Sequence, residues 1–169
     1  MKKILLIFTI LIFGNKLISQ EHKNIPTTFP TDYGIFTFPI GSKVTFELKE
    51  TKEGKYEYRV LNIEPYKEYY SLSKSKKLFS ENPKDNTVEI FFMGAYYNDG
   101  KEDKDWKTLL SLRNNLKTPL NYKADIKYYF KDEFENTSIS GAFPKTSTNE
   151  IWQHKIDFIT LYNFEQLKN

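Results

Sequence analysis

The sequence predicts an all-β protein, an antiparallel β-sandwich of about 7–8 strands. Three observations carry that expectation. In "LNYKADIKYYF", Leu120, Tyr122, Ala124, Ile126, Tyr128 and Phe130 occupy every second position, the period of a strand that turns alternate side chains to one face. Short runs of β-branched and aromatic residues recur along the chain, with glycine, asparagine, aspartate or proline between most of them. Aromatic residues make up 17 % of the chain, and they favour the half-buried surface of a sheet over a helix. A closed β-barrel made from the same strands is the alternative.

The chain opens with "MKKILLIFTILIFGNKLISQ", which sets Lys2 and Lys3 ahead of an apolar run from Ile4 to Phe13 and follows it with a polar stretch containing Ser19. This is the layout of a secretory signal peptide, expected over residues 1–19 with the mature chain starting near Gln20. The apolar run is well short of the roughly 20 residues needed to cross a bilayer. Removing that segment takes away Lys2, Lys3 and Lys16 and no acid, so 25 basic residues become 22 against 22 acidic. A near-neutral product carries no basic footprint for nucleic acid. With no cysteine, disulfides, thiolate metal sites, a cysteine nucleophile and lipid attachment at a cysteine are all excluded. The expected product is exported, soluble, and periplasmic or extracellular, with no stable membrane insertion after cleavage.

A polar lead is expected over 20–34 and a single β-sandwich domain over 35–169. "GIFTF" is the first strand candidate. In "SKVTFELKE", Val44, Phe46 and Leu48 share a face, as do Tyr56, Tyr58 and Val60 in "YEYRVLNI", and Gly54 between them suggests a hairpin. "PYKEYYSLSKSKKLF" reads as either one short helix at 65–80 or an irregular crossover. Pro65 suits a first turn, Tyr69, Leu72 and Phe79 fall near one helical face, and Asn82-Pro83 is a stop. "TVEIFFMGAYY", "TLLSLR", "TSISGAF" and "KIDFITLYNF" complete the strands. "DWKTLLSLRNN" admits a helix capped by Asp105, though its composition leans to a strand.

The stretch "LSLRNNLKTPLNYKADIKY" resembles the strand, turn, strand unit of immunoglobulin-like sandwiches in secreted bacterial proteins. The positions that match are Asn114 or Asn115, Pro119, Leu120, Tyr122, Ala124 and Ile126. The resemblance implies an immunoglobulin-like fold over about 20 residues and no particular activity.

Only His22 and His154 are available as histidines, and His154 follows Glu150 by four residues. On a helix that spacing would bring the two side chains within about 5 to 6 Å. On a strand it separates them by about 13 Å. Ile151, Ile156, Phe158, Ile159, Thr160, Tyr162 and Phe164 are strand residues, so no acid-histidine pair is expected. Trp152, His154, Ile156 and Phe158 then share one face, after which the apolar set moves to Ile159 and Leu161. Such a shift requires a bulge, a bend, or burial on both faces. His154 is expected as a hydrogen-bonded residue beside Trp152, and no companion motif completes a catalytic set. The acidic loop "NDGKEDKD" lacks EF-hand spacing and is interrupted by Lys101 and Lys104, so it reads as a solvated hairpin tip. No metal site, cofactor or catalytic residue is implied.

The aromatic doublets Tyr69-Tyr70, Phe91-Phe92, Tyr96-Tyr97 and Tyr128-Tyr129 remain. In a strand, one ring of each doublet must point to each face. Rings not covered by loops would form a partner surface, since tyrosine and tryptophan pack flat on sugars or protein with little entropy loss. Tyr97, Tyr129, Trp106 and Trp152 are the candidate contact residues. The expected function is an exported, non-enzymatic module that binds a protein or glycan of the cell envelope. The alternatives are a small lipocalin-like carrier of an apolar ligand, or an inhibitor or immunity protein.

Overall fold

A computed structural model describes residues 36–52, 54–74, 76–98 and 100–167, so the expected signal peptide and polar lead lie outside the described residues. The strands are β1 (Phe36–Pro39), β2 (Ser42–Glu50), β3 (Tyr56–Pro65), β4 (Tyr70–Ser71), β5 (Thr87–Tyr96), β6 (Trp106–Asn114), β7 (Leu120–Tyr128), β8 (Glu135–Thr137), β9 (Ser147–Trp152) and β10 (Ile156–Gln166). They form a four-stranded sheet, β1-β10-β7-β8, and a six-stranded sheet, β3-β2-β5-β6-β9 with β4 added to β5. Pairing is antiparallel except between β4 and β5. Each sheet keeps its own edges, so the closed barrel is not formed. Among the described residues the strands number ten, more than expected, because short pairings such as β4 and β8 leave little sequence signal.

The hairpin of β2 and β3 forms around Gly54, whose φ of 72° suits a residue without a Cβ. Alternation along β2 sends Val44, Phe46 and Leu48 inward, and β7 sends in Leu120, Tyr122, Ala124 and Ile126. Phe130 does not join that inward set. The strand ends at Tyr128 and Phe130 lies in the following turn, exposed. Between the sheets, Phe164 of β10 stacks on Tyr122 at 5.6 Å and meets Phe46 at 5.2 Å and Tyr58 at 5.1 Å. These rings pack the two sheets against each other.

The short helix at 65–80 is not what forms. Among its described residues, segment 66–86 is an irregular crossover that carries only β4, and "DWKTLLSLRNN" is strand β6 preceded by one 3-10 turn, Asp103–Asp105. The reason lies in β5, which β2 pairs only as far as Phe92. Beyond that point Ala95 and Tyr96 need another backbone partner, and β4 supplies it, with Leu72 N–H donating to Tyr96 C=O at 2.8 Å. The crossover also covers a second apolar face. Phe91, Met93, Ala95 and Leu109 are buried there under Tyr66, Tyr70, Leu72, Leu78 and Phe79. Of the doublet Phe91-Phe92, Phe92 therefore enters the space between the sheets and Phe91 the space beneath the crossover.

The last long strand run breaks in two. Gln153 to Lys155 make a corner that carries the chain from the six-stranded sheet into the four-stranded one. Thr108 pins this corner, since its Oγ1 donates to His154 C=O at 2.8 Å and accepts from Ile156 N–H at 3.0 Å. A bulge between Ile156 and Phe158 lets both Ile156 and Ile159 face inward while Phe158 is exposed. The apolar shift in the sequence is thus a corner followed by a bulge. A second irregularity, between Tyr162 and Glu165, contains Asn163 at φ 52° and returns Phe164 to the core.

The asparagine turn after β6 is a buried polar knot. Asn114 Nδ2 donates to the Thr118 and Ala142 carbonyls at 2.9 Å each, and its Oδ1 accepts from Leu116 N–H at 2.9 Å. Asn114→Ala should cost about 1–3 kcal/mol in urea unfolding, because it strands the buried Leu116 N–H. A loss within the scatter of surface substitutions would mean that the turn repacks.

Burial pushes the Tyr58 phenol up to about 12. Burial, with the Glu150 carboxylate adding to it, pushes the Tyr122 phenol up as well. Both groups hold their proton more tightly in the folded chain than in the unfolded one. Their contribution is intact below the ordinary phenol value of 10.0 and is lost as pH rises through the folded values. The thermal midpoint should therefore fall progressively above about pH 10. Tyr122→Phe should make that fall shallower, and identical alkaline profiles for the two proteins would refute the assignment.

Candidate functional site

Registers bring several strand ends to one end of the sandwich. Tyr96 of β5 stands opposite Trp106 of β6, Thr108 of β6 opposite Trp152 of β9, and Ile156 of β10 opposite Tyr128 of β7. All four candidate contact residues lie at this end. Only Tyr129, 60 % exposed, and Tyr97, 50 % exposed, present open rings.

Trp106 is not an open contact platform. Gly94 has no Cβ, and one placed there would sit 2.3 Å from the Trp106 ring, so the indole lies against the bare backbone of β5. It meets Tyr96 edge-on at 5.1 Å, and its Nε1 is buried with no partner among the described residues. Trp152 is also committed internally. It packs against the main core and its indole N–H donates to Thr137 Oγ1 at 3.0 Å, which ties β9 to β8. Both tryptophans hold the end together, because large rings at strand ends gain more from burial than from exposure.

The open surface instead includes residues that the alternation did not single out. Phe130, 54 % exposed, stacks on Tyr128 at 5.3 Å with an interplanar angle of 13°. Tyr129 meets Phe130 edge-on at 5.0 Å. The His154 ring stands edge-on to both, 6.1 Å from Tyr128 and 5.9 Å from Phe130. Lys131 Nζ lies 5.5 Å from the Tyr128 ring centre and pairs with Glu135. The Tyr129 N–H donates to Lys155 C=O at 3.2 Å, so this turn is tied to the corner that carries His154. On the β5 side, Lys107 Nζ lies 6.0 Å from the Tyr97 ring, and exposed Tyr69 meets Tyr96 edge-on at 5.1 Å.

Glu150 and His154 form no working pair. Glu150 lies on β9, where its Oε1 accepts the Ser140 N–H at 2.6 Å, whereas His154 is beyond the strand in the corner. The histidine expected beside Trp152 is in ring contact with Tyr128 and Phe130. In the acidic loop, Asp99 lies outside the described residues, Glu102 pairs with Lys104 at 2.6 Å, and Asp105 accepts from Asn98 Nδ2 at 2.7 Å. What this end offers chemically is a set of flat, partly mutually braced rings bordered by lysines.

Neither a scan against protein-family models nor searches of curated proteins and of solved structures returned a match to this chain.

Proposed function

We propose that the protein is an exported, non-enzymatic module that binds a protein or glycan of the cell envelope through the aromatic end of its sandwich. The observation that carries the reading is the cluster of Tyr129, Phe130 and His154 braced on Tyr128. Rings already held by one another lose little further freedom on contact, so the area they cover is gained at small entropic cost. Export is supported by the two lysines and the apolar run at the start of the chain.

The test is retention of envelope proteins and a glycan array, each run with the wild type and with Tyr129→Ala. This substitution should change stability by under about 1 kcal/mol, as for an exposed turn position, and should weaken capture of the wild-type partner. Empty results from both screens with the wild type, or equal capture by the variant, would remove the support.

A further inference from the structure

A second surface lies away from the aromatic end, on the outer face of the six-stranded sheet. There the crossover, β6 and β9 enclose an open cleft of about 460 Å³. Its walls bring together Lys76, Lys77, Arg113 and Lys145, and among the described residues no carboxylate lines it. Ser111, Ser147 and Asn149 also line it. The register places Ser111 opposite Asn149 and Arg113 opposite Ser147, so these four groups form two adjacent cross-strand rows. Phe79 borders the cleft and is itself held edge-on against Phe91 at 5.3 Å.

We propose that this cleft binds an acidic oligosaccharide whose sugar carboxylates meet the four cations. Arg113 donates to Ser80 C=O at 2.5 Å. Glu89 stands opposite it on β5 but accepts from Asn115 Nδ2, and no ion pair to Arg113 is formed among the described residues, so part of its donor fork is open to a planar carboxylate. The three lysines have partners beyond the lining, Lys76 with Glu68, Lys77 with Glu81 and Lys145 with Asp85. Exposed pairs of that kind contribute little, and a ligand with several negative charges can compete for them together. The hydroxyl and amide groups suit sugar hydroxyls, and an aromatic border suits the apolar face of a pyranose ring. A bare inorganic anion would use the cations and neither of the other two features.

The probe is a short oligogalacturonate, measured by calorimetry at low and at high salt, with a neutral maltooligosaccharide of equal length and inorganic phosphate as the other arms. The wild type should bind the oligogalacturonate, lose affinity with salt, and bind the neutral sugar far more weakly. Arg113→Gln and Lys145→Gln should each weaken binding about tenfold or more, with thermal melts confirming that both fold. Tyr129→Ala should bind the acidic sugar like the wild type, because its ring belongs to the other surface. The cleft assignment and the aromatic-end reading can therefore fail separately. No binding by the wild type, undiminished binding by both folded cleft variants, or phosphate binding as tightly as the oligogalacturonate would each overturn the proposal.

Discussion

Phe164→Ala is expected to lower the free energy of unfolding by about 3–5 kcal/mol, the range for truncating a large buried aromatic side chain. Phe164 is on β10 of the four-stranded sheet, yet its ring contacts Phe46 and Tyr58 of the opposite sheet as well as Tyr122 of its own. Truncation removes dispersion contacts to both layers at once. It also leaves a void that three large, already packed rings cannot close without leaving their rotamers. In urea the midpoint should drop while the slope with denaturant stays the same. A loss under about 1 kcal/mol, the scale of a surface substitution, would show that the sheets are not joined through this ring.

Ile126→Ala should cost about 2–5 kcal/mol, which makes it the next largest single effect expected. Ile126 is in the middle of its sheet, opposite Ile159 of β10 on one side and Glu135 of β8 on the other, and is 1 % exposed. Its neighbours are backbone-paired on both flanks, so they cannot move in to fill the gap. The comparison with Tyr129→Ala is direct, because only Lys127 and Tyr128 separate a core position from an exposed turn. Equal thermal destabilisation by the two substitutions would contradict the register of β7 and β10.

The aromatic end was only partly legible in the sequence. Tyr97 and Tyr129 stand out in the sequence as second members of doublets, but each lies just past a strand end, after Tyr96 of β5 and Tyr128 of β7, so their exposure comes from the turns and not from alternation within a strand. Trp106 and Trp152 have the same composition signal, and their burial depends on residues distant in the chain. Gly94 opens the space for one indole, and Thr137 offers a hydroxyl to the other. Phe130 was hidden by its own regularity. It continues the alternation of β7 by sequence, but β10 begins only at Ile156, opposite Tyr128, beyond the corner that holds His154, and with no partner strand the period has no sheet to act on. His154 likewise joins the cluster because Thr108 holds its carbonyl from another strand.

By itself, the sequence determined the strand character of this chain, the hairpin at Gly54, and the inward set of β2 and most of that of β7. These are consequences of side-chain period and backbone preference, which act between residues close along the chain. Only the tertiary structure decided that 66–86 covers the sheet as an irregular segment and not as a helix, that the last long strand run bends from one sheet into the other, and which rings remain open. Each of those outcomes rests on satisfying backbone groups and apolar surface of distant strands, above all the part of β5 that β2 does not reach. A local pattern carries no information about such a partner until the sheets have formed.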